Sequence, residues 1–132
     1  MIIQLAKNRL IGEVREEFAN GYPFLRLDFY KNAHGRPGAS VKQKLNKLAT
    51  LANAGLRHEG EIEIRDSMTV RELEGKLRKQ FGLLVQVARK SGKVWLQTTK
   101  SDDWTLQQQN ERGRELCAPI EKDLMPGPID PD

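Results

Sequence analysis

The chain has 132 residues and a formal net charge of +4, and 38% of its residues are hydrophobic. This length suits one domain with a core, and no apolar run approaches the roughly 20 residues that a membrane-spanning helix needs. The single cysteine, Cys117, excludes an internal disulfide and metal sites built from several thiolates. The opening residues MIIQLAKN are too short and too soon polar for a secretory signal, so we expect a cytoplasmic protein without a membrane partner.

Charge is distributed unevenly along the chain. Residues 1–100 carry 19 Lys or Arg and 10 Asp or Glu, whereas residues 101–132 carry 3 and 8. A basic body attracts nucleic acid or acidic surfaces. A solvated surface with an acidic counterweight explains the same composition.

The first 30 residues predict a strand, a helix and a second strand. Ile3 and Leu5 alternate with polar residues, as in a half-buried strand. Apolar residues then recur at helical spacing up to Phe18, before a break at Asn20-Gly21. The run FLRLDFY that follows alternates again, which predicts a strand with one face on the core.

Residues 31–60 predict a loop with an inserted helix. The run KNAHGRPGAS breaks regular structure because two glycines surround a proline. Ser40 is a suitable cap for a helix over about 41–53, and Gly55 is a suitable stop. A connection this long inside a compact domain is expected to contain an element of its own.

The clearest signals come from residues 69–99. Thr69 and Glu72 fit a capping box, and an apolar stripe from Val70 to Phe81 predicts a helix that stops at Gly82. Two alternating strands follow, joined by a compact reversal at Ser91-Gly92. We therefore predict a capped helix leading into an antiparallel hairpin.

The N-terminal segment is weakly echoed in the second half of the chain. Ile3 and Leu5 match residues 59 positions later, and after the turn FLRLDFY matches residues 58 positions later. Duplication and chance apolar matches both explain this echo. We predict an α+β domain with a ferredoxin-like split βαβ sheet, an inserted helix, an added C-terminal hairpin strand and a C-terminal helix. A β-grasp, ubiquitin-like arrangement is the alternative.

The C-terminal part predicts a weak helix and a tail. Residues 101–103, Ser-Asp-Asp, can cap a helix from Trp104 to about Leu116, in which Gly113 weakens the last turns. Residues 118–132 are acidic and contain four prolines, which predicts a flexible tail. The single domain is thus expected to span residues 1–117.

Two segments of the chain carry a resemblance. The FLRLDFY run and the run VWLQTTKSDDWTL resemble segments of short bacterial proteins with no assigned activity. The resemblance implies a shared small domain and no function.

Aromatic residues and one arginine suggest a partner surface. If the outward residues of FLRLDFY share a sheet face with Trp95, that face presents aromatic rings beside a cation, on which bases or apolar groups of a protein can stack. A C-terminal helix lying across this face is the alternative. The candidate residues are Phe24, Arg26, Tyr30, Trp95 and Trp104.

Two cationic groups are candidate anion sites. Basic residues on the second helix and at the hairpin tip suggest polyanion contacts: Arg71, Arg78, Lys79, Arg89, Lys90 and Lys93. The glycine-rich loop before the predicted inserted helix suggests an anion site of Lys31, Arg36 and Lys42, although the Walker spacing is absent.

No catalytic, cofactor or metal-binding signature stands out. The leading hypothesis is a small binding or interaction module without chemistry of its own, with a protein as its partner. Nucleic-acid binding through the basic helix and hairpin tip is the alternative, and an enzyme or anion-binding protein using the 31–42 loop is the third.

Overall fold

A computed structural model describes residues 1–33 and 41–118, so the predicted tail over 118–132 lies outside the described residues except for Ala118. The fold belongs to the α+β class. Its elements, in chain order, are β1 (Ile2–Leu5), α1 (Ile11–Gly21), β2 (Leu25–Ala33), β3 (Val41–Lys44), β4 (Gly60–Glu63), α2 (Val70–Phe81), β5 (Leu84–Ser91), β6 (Val94–Gln97) and α3 (Leu106–Leu116).

The strands form two antiparallel sheets. The smaller sheet contains β1 and β4, and the larger one has the order β3-β2-β5-β6. The predicted ferredoxin-like topology, with both βαβ halves in one sheet, is not confirmed. β1 pairs along its whole length with β4, so this pair closes a sheet of its own on the core through Ile3, Leu5 and Ile62.

A pseudo-two-fold axis relates the two halves of the chain. In the small sheet Ile3 lies opposite Ile62, the residue 59 positions later. In the large sheet Asp28 lies opposite Gln86, the residue 58 positions later. These are the offsets of the sequence echo, so residues that correspond between the halves are direct cross-strand neighbours at the axis.

Hydrogen bonds at the helix starts repeat in both halves. The Ile11 amide donates to the Ala49 carbonyl at 2.8 Å, and the Val70 amide donates to the Trp104 carbonyl at 3.0 Å. The return contacts also correspond, with Leu51 donating to Arg9 at 2.9 Å and Leu106 donating to Met68 at 2.8 Å. The turn after β3 therefore corresponds to the start of α3, and each half has the order strand, helix, strand, strand, helical turn.

Local sequence explains α2. The Glu72 amide donates to the Thr69 hydroxyl at 3.1 Å and the Glu72 carboxylate accepts from the Thr69 amide at 2.8 Å, which completes the predicted capping box. The helix ends at Gly82, whose φ of 73° is left-handed. Its buried stripe consists of Val70, Leu73, Leu77 and Phe81.

The inserted helix predicted over 41–53 is wrong. Val41–Lys44 is a strand that pairs with Tyr30–Ala33 of β2. As a strand, this segment satisfies its main-chain hydrogen-bonding groups through β2. A helix in its place would gain only the burial of a modest apolar face. Only one helical turn follows: Thr50 and Asn53 cap each other, and Gly55, with φ +93°, ends the turn.

The C-terminal helix starts later than predicted. Thr99–Ser101 forms a short 3-10 turn, and Thr105 is the N-cap of α3. The Thr105 hydroxyl accepts from the Gln108 amide at 3.1 Å, and the Gln108 side chain accepts from the Thr105 amide at 2.9 Å. A reciprocal pair of this kind outcompetes a cap from residues 101–103.

Candidate functional site

The larger sheet has one face in the core and one facing away from it. Leu25, Leu27 and Phe29 of β2 belong to the core together with Val85 and Val87 of β5. The alternate residues project from the other side. We call this side the open face; the register places on it Arg26, Asp28, Tyr30, Lys42, Lys44, Gln86, Ala88, Lys90, Trp95 and Gln97.

Asp28 is the buried charge at the centre of the open face. It is 3% exposed, and its carboxylate accepts from Arg26 Nε at 2.7 Å and Arg26 Nη2 at 3.1 Å. Lys44 Nζ lies 3.5 Å from Oδ2 of the same carboxylate. The bidentate pair fixes the guanidinium plane of Arg26, and the two cations leave the cluster with a net positive charge.

Arg26 is held against Trp95. The carbon of its guanidinium lies 4.7 Å from the centre of the Trp95 ring, within the range of a cation–π contact. Trp95 lies on β6, two strands away from β2, so its contact with Arg26 extends across β5. The result is a partly buried ring and cation whose relative orientation is fixed by the protein.

Tyr30 extends the open face. Its hydroxyl accepts a hydrogen bond from Gln97 Nε2 at 3.1 Å, which joins β2 to β6 across β5. Burial raises the pKa of Tyr30, and the Asp28 carboxylate raises it further. Tyr30 therefore stays a neutral phenol at physiological pH.

Helix α1 borders the open face. Arg15, Glu16 and Ala19 line a shallow groove together with Lys47 and Trp95. Burial lowers the pKa of Arg15, and the nearby Arg26 guanidinium lowers it further. The groove is thus bordered by three cationic side chains and one carboxylate, that of Glu16.

The structure divides the predicted aromatic surface. Arg26, Tyr30 and Trp95 lie together on the open face. Phe24 lies against α3 instead: its amide donates to Asn110 Oδ1 at 2.9 Å, and the Arg114 guanidinium lies 5.1 Å from its ring. Trp104 is 39% exposed and lies at the start of α2, where its carbonyl accepts from Val70.

The predicted polyanion contacts are not brought together. Arg71 pairs with Asp102 at 2.8 Å, and Arg89 donates to Gln109 at 3.0 Å. Arg78 lines a cleft beside the first residues of β5, whereas Lys90 and Lys93 lie at its other end. Those ends are separated by about 20 Å at the rise of a strand. Lys79 follows Arg78 at the exposed end of α2.

The predicted anion loop loses its physical basis. Lys31 and Lys42 lie on the neighbouring strands β2 and β3, and Arg36 lies outside the described residues. The segment after the loop is a strand, so it does not supply the free amides of a helix N-terminus.

Sequence reasoning missed several residues that shape the site. Asp28 and Gln97 were visible only as outward members of alternating runs, and Lys44 was assigned to a helix. Another missed residue is Glu74, whose carboxylate accepts from the Val87 amide at 2.9 Å, where β6 no longer covers β5. Burial raises the pKa of Glu74, and the Val87 hydrogen bond opposes that rise.

Residues 1–33 and 41–118 contain no group of three or more His, Cys, Asp or Glu side chains arranged to hold a metal ion. Within the same residues, no helix has the length and apolar character to cross a membrane.

Comparisons with known proteins do not assign a function to the chain. No protein-family model matches the chain, and neither the curated proteins nor the solved structures contain a match. The resemblance to short bacterial proteins therefore stays a prediction.

Proposed function

We propose that the protein is a non-enzymatic binding module whose open face recognises another protein. The observation that carries the proposal is the Arg26 guanidinium 4.7 Å from the centre of the Trp95 ring on a partly exposed sheet face. Tryptophan and arginine are the residues most enriched among the energetic anchors of protein interfaces. Their fixed orientation here reduces the entropy that binding would cost.

The chemistry of the face favours a binding role. Its two potential proton donors or acceptors, Asp28 and Tyr30, are both engaged: Asp28 accepts from Arg26, and Tyr30 accepts from Gln97. A general acid or base needs a reachable proton and a pKa near neutrality. The Asp28 carboxylate, at 3% exposure, has its oxygens occupied by cations.

A capture experiment with matched tryptophan variants tests this function. The wild-type chain, Trp95→Ala and Trp104→Ala are each immobilised and exposed to nuclease-treated lysate of the source cells, and bound proteins are quantified by mass spectrometry. We expect a protein set that is retained by the wild type and by Trp104→Ala but lost with Trp95→Ala. Equal capture by all three chains would rule out the open face as the partner surface.

Nucleic acid is a second candidate partner. The observation that favours it is that Lys42, Lys44 and Lys90 share the open face with Tyr30 and Trp95, because cations with stacking rings bind single strands. Repeating the capture experiment without nuclease tests this candidate. Nucleic-acid binding further predicts that a short single-stranded oligonucleotide quenches Trp95 fluorescence, with an affinity that falls steeply with salt.

A further inference from the structure

The two outer strands of the larger sheet differ in how they are protected. β3 and β6 occupy equivalent places on either side of the pseudo-two-fold axis. β3 has the sequence VKQK, and its Lys42 and Lys44 are exposed. β6 has the sequence VWLQ and carries no charge. Charged residues, lysine above all, normally prevent an edge strand from pairing with other chains, so β3 has this protection and β6 lacks it.

The main chain of β6 has hydrogen-bonding groups that face outward. The Thr98 amide donates to the Val87 carbonyl at 3.2 Å, which marks this pair as a hydrogen-bonded one. Bonded and non-bonded pairs alternate along an antiparallel ladder, so Val94 and Leu96 bond to β5. The N–H and C=O groups of Trp95 and Gln97 therefore point to the outer edge, and in the described residues no hydrogen bond to these four groups occurs.

The side chains of β6 define what an added strand would meet. On one side are Val94 and Leu96, which are 56% and 46% exposed. On the other side are Trp95 and Gln97, which belong to the open face. Side chains of an added strand alternate in the same way, so one set would contact the apolar side and the other set the open face.

The charges at the ends of β6 favour one kind of added strand over another. Lys93 precedes β6 and Lys100 follows it, and both are exposed. An antiparallel second copy would bring Lys93 of one chain close to Lys100 of the other, which is repulsive. A segment with acidic side chains would instead be attracted by Lys93 and by Lys90, which lies opposite Trp95 on the open face.

We propose that β6 binds an extended peptide segment of a partner protein, in which apolar residues alternate with acidic ones, as an additional strand of the sheet. The segment forms main-chain hydrogen bonds with Trp95 and Gln97, its apolar side chains cover Val94 and Leu96, and its acidic side chains lie on the open-face side near Lys90 and Lys93. This mode of recognition obtains affinity from the main chain and specificity from alternate side chains. The inference rests on the proposed function, because it identifies the partner of the same open face.

The test uses the full chain and three capped ten-residue peptides. In the first peptide valine alternates with glutamate, in the second lysine replaces glutamate, and in the third the first peptide is N-methylated along one edge. Amide hydrogen exchange measured by NMR reports on the main chain of β6. We expect the first peptide to slow exchange at Trp95 and Gln97 about tenfold or more, and the other two peptides to have little effect.

Two matched protein variants accompany the peptides. Leu96→Lys gives β6 the edge lysine that protects β3. We expect it to raise the Kd of the first peptide about tenfold. Leu48→Lys makes the same substitution at a leucine that is 71% exposed outside β6, and it should leave the Kd unchanged. Equal loss in both variants would overturn the inference.

The outcomes distinguish a failure of strand addition at β6 from a failure of the proposed function of the open face. Peptide binding that is lost in Trp95→Ala while the Trp95 and Gln97 amides of the wild type exchange freely would overturn strand addition and leave the open face as the binding surface. Peptide binding that is unaffected by Trp95→Ala would overturn the open face itself. Slow exchange without peptide would assign the edge to a second copy if it depends on protein concentration, or to residues 119–132 if it does not; either result overturns the inference.

Discussion

At the scale of single residues, the open face is organised by one buried carboxylate. Asp28 is the only buried acidic residue in the described part of the chain, and two cations pair with it. Because Arg26 is committed to Asp28, its guanidinium plane is fixed where it meets Trp95. The binding surface that we propose therefore depends on a polar contact inside the sheet as well as on the exposed ring.

Glu74 shows how a carboxylate can replace a missing strand. It accepts from the Val87 amide beyond the end of β6. Glu74→Ala leaves that amide without its acceptor, and we expect a loss of about 1–3 kcal/mol in the free energy of unfolding. Glu74→Gln keeps an acceptor and should lose less. Chemical denaturation at neutral pH measures both variants, and equal losses would contradict this role.

The pH dependence of stability provides a second readout for the same residue. Burial raises the pKa of Glu74 in the folded chain, so the folded state binds the proton more tightly than the unfolded state does. The part of the stability that depends on protonation of Glu74 is then fully present below its unfolded pKa and is lost as pH rises through its folded pKa, whereas the hydrogen bond from the Val87 amide remains. The stability of Glu74→Gln relative to the wild type should accordingly increase with pH across that interval.

At the scale of secondary-structure elements, α3 depends on a glycine for its close approach to β2. A Cβ added at Gly113 would lie 2.6 Å from the Phe24 Cβ and 3.2 Å from the Phe24 carbonyl oxygen. Sequence propensity alone assigns Gly113 a destabilising role in the helix. In the fold it provides the space in which α3 packs against the end of the sheet.

Two glycine substitutions separate packing from helix propensity. Gly113→Ala should lower the free energy of unfolding by about 1–3 kcal/mol, because the overlap with Phe24 exceeds the gain in propensity. Gly75→Ala is the control, since an added Cβ there has nothing within 4 Å, and it should raise stability by about 0.5–1 kcal/mol. Thermal or chemical denaturation measures both. A stabilised Gly113→Ala would show that α3 does not pack closely on Phe24.

The elements that sequence alone predicted are those with complete local signals. The capping box at Thr69, the apolar stripe and Gly82 together specify α2, and alternation specifies β1, β2 and the β5–β6 hairpin. β3 was missed because its residues pair with β2, a contact that local periodicity does not contain. The Thr105 cap was missed because residues 101–103 offered a competing signal.

The candidate site was harder to predict than the fold. Alternation correctly grouped Arg26, Tyr30 and Trp95 on one face, since side-chain direction follows from strand period. The burial of Asp28 and the contact with Lys44 depend on strand order, and the sequence does not specify that order. Phe24 contacts α3, a packing that the alternation of β2 does not indicate.

At the scale of the whole molecule, the two similar halves give the larger sheet two edge strands, β3 and β6, that differ in charge. The axis places β2 beside β5 at the centre and puts β3 and β6 at equivalent outer positions. The halves share their helix starts and turns, yet one edge carries lysines and the other carries an exposed apolar sequence. We interpret this difference as the feature that directs a partner to β6.

The crystal structure of the full chain with the alternating acidic peptide tests the central claim most directly. We predict a fifth strand beside β6, with main-chain hydrogen bonds to Trp95 and Gln97 and with its apolar side chains over Val94 and Leu96. A peptide bound along β3, on α2, or anywhere that leaves the outer edge of β6 uncovered would contradict it.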